Sequence, residues 1–196
     1  SQDRRERAFR HHHAAWRFWH IWKTKVVLGA ISIDLAAVLF GGVMGLLPVF
    51  AVDILKVGPE ALGVMRAMPA IGALVVAVTL ARWGLIWRIG PSFFISLTIF
   101  GLSILVLSLS TNYWLSVTAL AVYGASDMVS VYVRQTLVQI ETPNDLRGRV
   151  SAVNSVSINA SNQMGDFRAG TMSALMGTPA AVAVGAFVTL GVTLLW

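Results

Sequence analysis

Six stretches of this chain are apolar enough, and long enough, to call for a lipid surround. Their approximate spans are 26–52, 61–81, 91–110, 113–140, 150–176 and 179–196. A helix needs ~20 apolar residues to cross the hydrocarbon of a bilayer, and in lipid it must satisfy its backbone polar groups internally. The expected fold is therefore an all-α membrane protein with six transmembrane helices. Composition closes the alternative of a water-soluble globule. Hydrophobic residues make up 56% of the chain and charged residues 12%, where a soluble domain carries about a quarter charged residues. The joining loops are short, and Pro59, Pro91, Asn112, Pro143 and Pro179 lie in or beside them, where they suit turns and helix starts. The last span is barely long enough. The chain opens Ser-Gln-Asp-Arg-Arg without a methionine, and is expected to be a piece of a longer polypeptide.

Basic residues are not scattered. Of the fifteen Lys and Arg, eleven fall in residues 1–25, in the 82–90 loop and in the 141–149 loop. The alternate loops hold Lys56 alone, and Arg66, Arg134 and Arg168 lie inside spans. By the positive-inside rule both ends of the chain face the cytoplasm. The same distribution accounts for a pI near 10.5 without nucleic acid. Residues 1–25 interleave Arg4, Arg5, Arg7, Arg10, Arg17, Lys23 and Lys25 with Phe9, Trp16, Phe18, Trp19 and Trp22. Such a mixture suits an interfacial helix on anionic membrane lipid. His11, His12, His13 and His20 are all here, but adjacent histidines on a helix point in different directions. They are read as a solvated face, and no metal is expected. There is no cysteine.

The informative residues are the few that lipid should exclude. Asp34 lies ~12 Å along the first span from its cytoplasmic end, at 1.5 Å per residue. A carboxylate at that depth needs a partner, water or a proton. The same span continues through Gly41-Gly42, Gly45 and Pro48, which allow either close helix contact or a flexible break. Arg66 lies near the outer end of the second span and can snorkel to the surface. In the fourth span Tyr123, Asp127, Ser130 and Arg134 recur at steps of four, three and four, so they share a face. Asp127 and Arg134 are ~10 Å apart in rise, long for a direct pair. Arg134 matches Asp34 in depth, so it is expected to meet Asp34 across the bundle. Asp127 is then left free to take up a proton. The other reading is that these charges only fix helix packing.

The fifth span is the most polar. Ser151, Asn154, Ser155, Asn159, Asn162, Gln163 and Asp166 fall on roughly one half of it. A polar half-helix at membrane depth faces protein or a water-filled cavity, or bonds its neighbours as packing glue. Asp166 and Arg168 lie toward the outer end and are expected to pair with other spans, Arg66 among the candidates. The expected substrate cavity is lined by Tyr123, Ser130, Asn154, Asn159 and Asn162, and the charge relay by Asp127, Asp34, Arg134, Asp166 and Arg66.

Ala125-Ser-Asp-Met-Val-Ser-Val-Tyr-Val-Arg-Gln-Thr-Leu-Val-Gln139, followed by Pro143-Asn-Asp-Leu-Arg-Gly-Arg-Val-Ser-Ala-Val-Asn-Ser155, resembles the major facilitator superfamily. Leu46-Leu-Pro-Val-Phe-Ala-Val-Asp-Ile54 and Lys25-Val-Val-Leu-Gly-Ala-Ile31 are similar to its bacterial enterobactin-exporter-like branch. The resemblance runs from about residue 16 to the end and implies a bacterial inner-membrane protein. It also implies the C-terminal half of a twelve-helix fold, with residues 1–25 as part of the cytoplasmic linker and the N-terminal six-helix half as partner. In that superfamily the first and fourth spans of a half line the cavity, and the second and fifth face the other half. A cytoplasmic loop core of Asp-Arg-x-Gly-Arg is matched here by Trp87-Arg-Ile-Gly-Pro91, where Arg88 and Gly90 agree and Trp87 and Pro91 do not. Asp145, Arg147 and Arg149, with Arg88, are the expected gating contacts on the inner face.

The expected function is secondary active transport, a proton-coupled export of a small organic molecule by alternating access. The alternative is a non-transporting membrane subunit or scaffold that needs a partner half. No His-Glu-x-x-His, Gly-x-Ser-x-Gly or Gly-x-x-x-x-Gly-Lys pattern is present, so neither enzyme activity nor a cofactor is expected.

Overall fold

Proline, glycine and asparagine set the helix ends. The computed structural model describes residues 29, 32–84, 89–141 and 147–195, without the side chains at 89, 137–141, 147–151, 153 and 154. The basic tail 1–25, Arg88 and Asp145 lie outside the described residues, as do the side chains of Arg147, Arg149 and Asn154. Among the described residues there is no strand. The helices are α1 (Ser32–Ile54), α2 (Pro59–Trp83), α3 (Ile89–Leu109), α4 (Tyr113–Glu141), α5 (Arg147–Met176) and α6 (Thr178–Leu194). Pro59 and Pro179 stand in the first turns of α2 and α6, where a missing N–H costs no helix bond. Asn112 caps α4 by accepting from the backbone N–H groups of Trp114 (2.9 Å) and Leu115 (3.3 Å). Gly84 ends α2 at φ 65°, its N–H returning to the Leu80 carbonyl, which is the left-handed stop that glycine adopts without strain.

Helix α1 is not continuous. It is α-helical over 32–41, loses helical form at Gly42 and Val43, and resumes as a 3-10 turn at Met44–Leu46. One α turn at Leu47–Val49 follows, then a π turn at Phe50–Ile54. Pro48 has no N–H for the Met44 carbonyl, and the Leu47 N–H bonds that oxygen instead, tightening the turn. The glycines that sequence reasoning left between close contact and a break do both.

Helix α4 packs against α2 and α3, α3 against α6, and α6 against α5, which also meets the break in α1. The crossing of α2 and α4 is backbone on backbone. A Cβ on Gly72 would overlap the Ala121 carbonyl oxygen, and one on Gly124 the Pro69 carbonyl oxygen. In lipid this close packing replaces the hydrophobic drive available in water. Serines in α3 are hidden by local bonds: Ser96, Ser103 and Ser108 each donate to a carbonyl three residues back at 2.7 Å. Val43, Leu46, Leu47 and Phe50 of α1 join Met65, Phe100, Ile104 and Leu120 in the larger buried cluster. The outside is apolar: Leu74, Val75, Val106, Leu109 and Phe187 are exposed, with Trp83 and Trp114 at helix ends, a distribution suited to lipid.

Four helices, α1 to α4, are long and apolar enough to cross a membrane. Helix α6 is apolar but has 17 residues, about 25 Å at the helical rise. Helix α5 has 30 residues and is too polar to count among the apolar crossing helices.

Candidate functional site

The α4 face predicted by spacing is present, and α1 lies against it. Arg134 donates through Nη1 to Asp34 Oδ2, and Ser130 donates through Oγ to Asp34 Oδ1. All three are sealed, at 2%, 1% and 1% exposure for Arg134, Asp34 and Ser130. Both carboxylate oxygens are thus engaged, which a buried charge requires. The guanidinium is not fully served: Arg134 Nε is buried with no hydrogen-bond partner among the described residues. Ser130, expected on a cavity wall, is occupied by Asp34.

Asp127, three residues before Ser130 on α4, is different. It is half-buried, and its carboxylate makes no hydrogen bond among the described residues. It sits in the electrostatic field of both Asp34 and Arg134. Tyr123, one turn earlier, stacks on Phe100 with ring centroids 4.6 Å apart and feels both Asp127 and Asp166. The α4 face therefore runs from a closed ion pair at Arg134 to a half-buried carboxylate and then to a phenol near α5.

Helix α5 presents Ser155, Asn159, Asn162 and Gln163 as an exposed stripe. Asn159 Nδ2 donates to the Ser155 carbonyl of its own helix at 2.9 Å, and so does not glue α5 to a neighbour. Asp166 and Arg168 do contact another span, α1, and not Arg66. Asp166 Oδ1 accepts from the Gly45 N–H at 3.0 Å. Arg168 donates through Nε to the Leu39 carbonyl at 3.2 Å and through Nη2 to the Phe40 carbonyl. Its guanidinium also lies over the Phe40 ring, 5.3 Å from the centroid. Arg66 is exposed on α2 and makes no ion pair among the described residues.

Sequence reasoning expected Arg168 to pair with another span but did not foresee backbone carbonyls as its partners. A signal was available: a glycine-proline break must leave backbone groups unpaired, and Asp166 with Arg168 supplies one acceptor and one donor group at similar depth.

A helical bundle that buries an ion pair, keeps a second carboxylate open and turns a polar stripe outward has the parts of a membrane transporter. The model of the transmembrane secretion effector family, a major facilitator family, matches residues 1–196. The chain belongs to that family. It is thus a multi-pass membrane protein of major facilitator type, a class that is typically non-enzymatic. No curated protein and no solved structure matches it significantly.

Proposed function

We propose that the chain is the C-terminal six-span half of a proton-coupled exporter of a small organic molecule. It would work by alternating access in a bacterial inner membrane, with both ends cytoplasmic and a second six-helix half as partner. Helices α5 and α6 supply the fifth and sixth spans, α5 tolerated because its polar side meets the partner half and the water between them. The observation that carries the reading is Asp127: a half-buried carboxylate without a hydrogen bond among the described residues, beside a sealed Asp34–Arg134 pair. Loading Asp127 with a proton removes a negative charge from the field of that pair. This changes the balance between states that keep the pair and states that part it.

The test uses the full-length protein in proteoliposomes with an imposed pH gradient. Asp127→Asn is expected to abolish gradient-driven transport while leaving substrate exchange measurable. Unchanged coupling in Asp127→Asn would remove Asp127 from the mechanism. Absence of transport of every solute by the wild-type protein would favour a non-transporting membrane subunit.

A further inference from the structure

The break in α1 leaves specific backbone groups without helical partners. In a continuous α-helix the N–H groups of Val43, Met44 and Gly45 would bond the carbonyls of Leu39, Phe40 and Gly41. Helix α5 occupies three of those six groups. Arg168 holds the carbonyls of Leu39 and Phe40, and Asp166 holds the N–H of Gly45. A guanidinium also complements the negative end of the helix over 32–41. Gly42 lies against Gly165, where an added Cβ would come within 3.3 Å of backbone, so α5 reaches the break directly.

The geometry points to a two-state element: α1 is held broken by the Asp166–Arg168 pair of α5, and zips toward a continuous helix when α5 lets go. The exclusion is sharpest at Gly45. Its N–H has one proton to give, and that proton goes either to Asp166 or to the Gly41 carbonyl. A carbonyl has two lone pairs, so Leu39 and Phe40 would tolerate both partners, and Asp166 is the latch. The Phe40 carbonyl also meets α6, where a Cβ on Gly185 would overlap its oxygen and come within 3.2 Å of Arg168 Nη2. Release therefore requires α5 to move relative to α1 and α6 together.

The consequence extends to the ion pair. Asp34 lies on the inner segment of α1, five residues before Leu39. Broken, that segment is tied to α5 by Arg168 and to α4 by Arg134. Zipped, it becomes rigid with the outer segment, and Asp34 turns with it. Asp166 and Arg168 are thus positioning residues, acting on the Asp34–Arg134 pair through the α1 backbone. The functional link rests on the transporter reading; the two-state claim itself does not.

The experiment is residue-resolved amide hydrogen exchange on the full-length protein in lipid nanodiscs, read at Val43, Met44 and Gly45. With Asp166→Leu, α1 is expected to zip and exchange at Val43 and Met44, whose N–H groups gain helical partners, to slow by about tenfold, the factor for one net hydrogen bond of ~1.4 kcal/mol, while Gly45 trades one partner for another and stays protected. Asp166→Asn keeps an acceptor without the charge, and is expected to shift Val43 and Met44 the same way by less. It also serves if the leucine variant does not fold. Arg168→Met leaves the Asp166 latch in place and should slow Val43 and Met44 by less than Asp166→Leu does. Faster exchange at Gly45 in either Asp166 variant would mean that the glycines and Pro48 alone hold the break, and would overturn the proposal. No readout here depends on transport, so the transporter reading and the two-state element fail separately.

Discussion

Asp34 and Arg134 show how few atoms decide this chain. A buried ion pair adds little net stability, but removing one member strands the other charge, at a cost of ~3–5 kcal/mol. Asp34→Leu alone should therefore destabilise the bundle by about that much in denaturation experiments in detergent. The double variant Asp34→Leu with Arg134→Met should recover most of the loss, since neither charge then remains buried. If the double variant is no more stable than the worse single one, the pair is not the reason these residues are tolerated. The meeting of Asp34 and Arg134 was legible in the sequence, because 1.5 Å of rise per residue places both at similar depth. The role of Ser130 was not: spacing put it on the right face but could not show that Asp34 Oδ1 takes its hydroxyl. Asp166 was read as one end of an inter-span ion pair, whereas its partner is a backbone N–H. Side-chain patterns do not announce backbone donors that only a helix break exposes.

Among the elements, α2 and α4 depend on having no side chains where they cross, and α1 on losing its helical form. Gly124→Ala drives a methyl into the Pro69 carbonyl oxygen. It is expected to lower stability by ~1–3 kcal/mol, the usual range for overpacking. Gly63→Ala on the open side of α2 meets nothing within 4 Å and should be neutral or stabilising by ~0.5–1 kcal/mol. Thermal unfolding of both variants checks the contrast; equal losses would show that the crossing is not close-packed in the protein. Helix positions came readily from the sequence, because apolar runs bounded by proline, glycine and asparagine fix them. Helix α5 was harder. Its polar side is equally compatible with inter-helix glue and with an open face. Asn159 and Asn162 are exposed in the chain as described, and Asn159 bonds Ser155 of its own helix. The form of α1 was legible only as two alternatives, since glycine permits both a break and a close contact.

For the whole molecule, function turns on the outward polar stripe of α5 and the half-buried carboxylate of Asp127 meeting water within the membrane. A bundle with a lipid-facing outside has no physical reason to turn Ser155, Asn159, Asn162 and Gln163 outward unless another surface or a wet path lies opposite them. Family membership makes a transporter the natural frame. This chain contributes no cysteine, so a direct measurement is clean once any cysteine elsewhere in the full-length protein is replaced. Single substitutions Asp127→Cys, Asn159→Cys and Asn162→Cys in the full-length protein, with Phe187→Cys and Val106→Cys as lipid-facing controls, are exposed to a small charged thiol reagent in intact membranes. The account predicts modification at 127, 159 and 162 and none at the controls. Protection of all three polar positions, at the level of the controls, would contradict it.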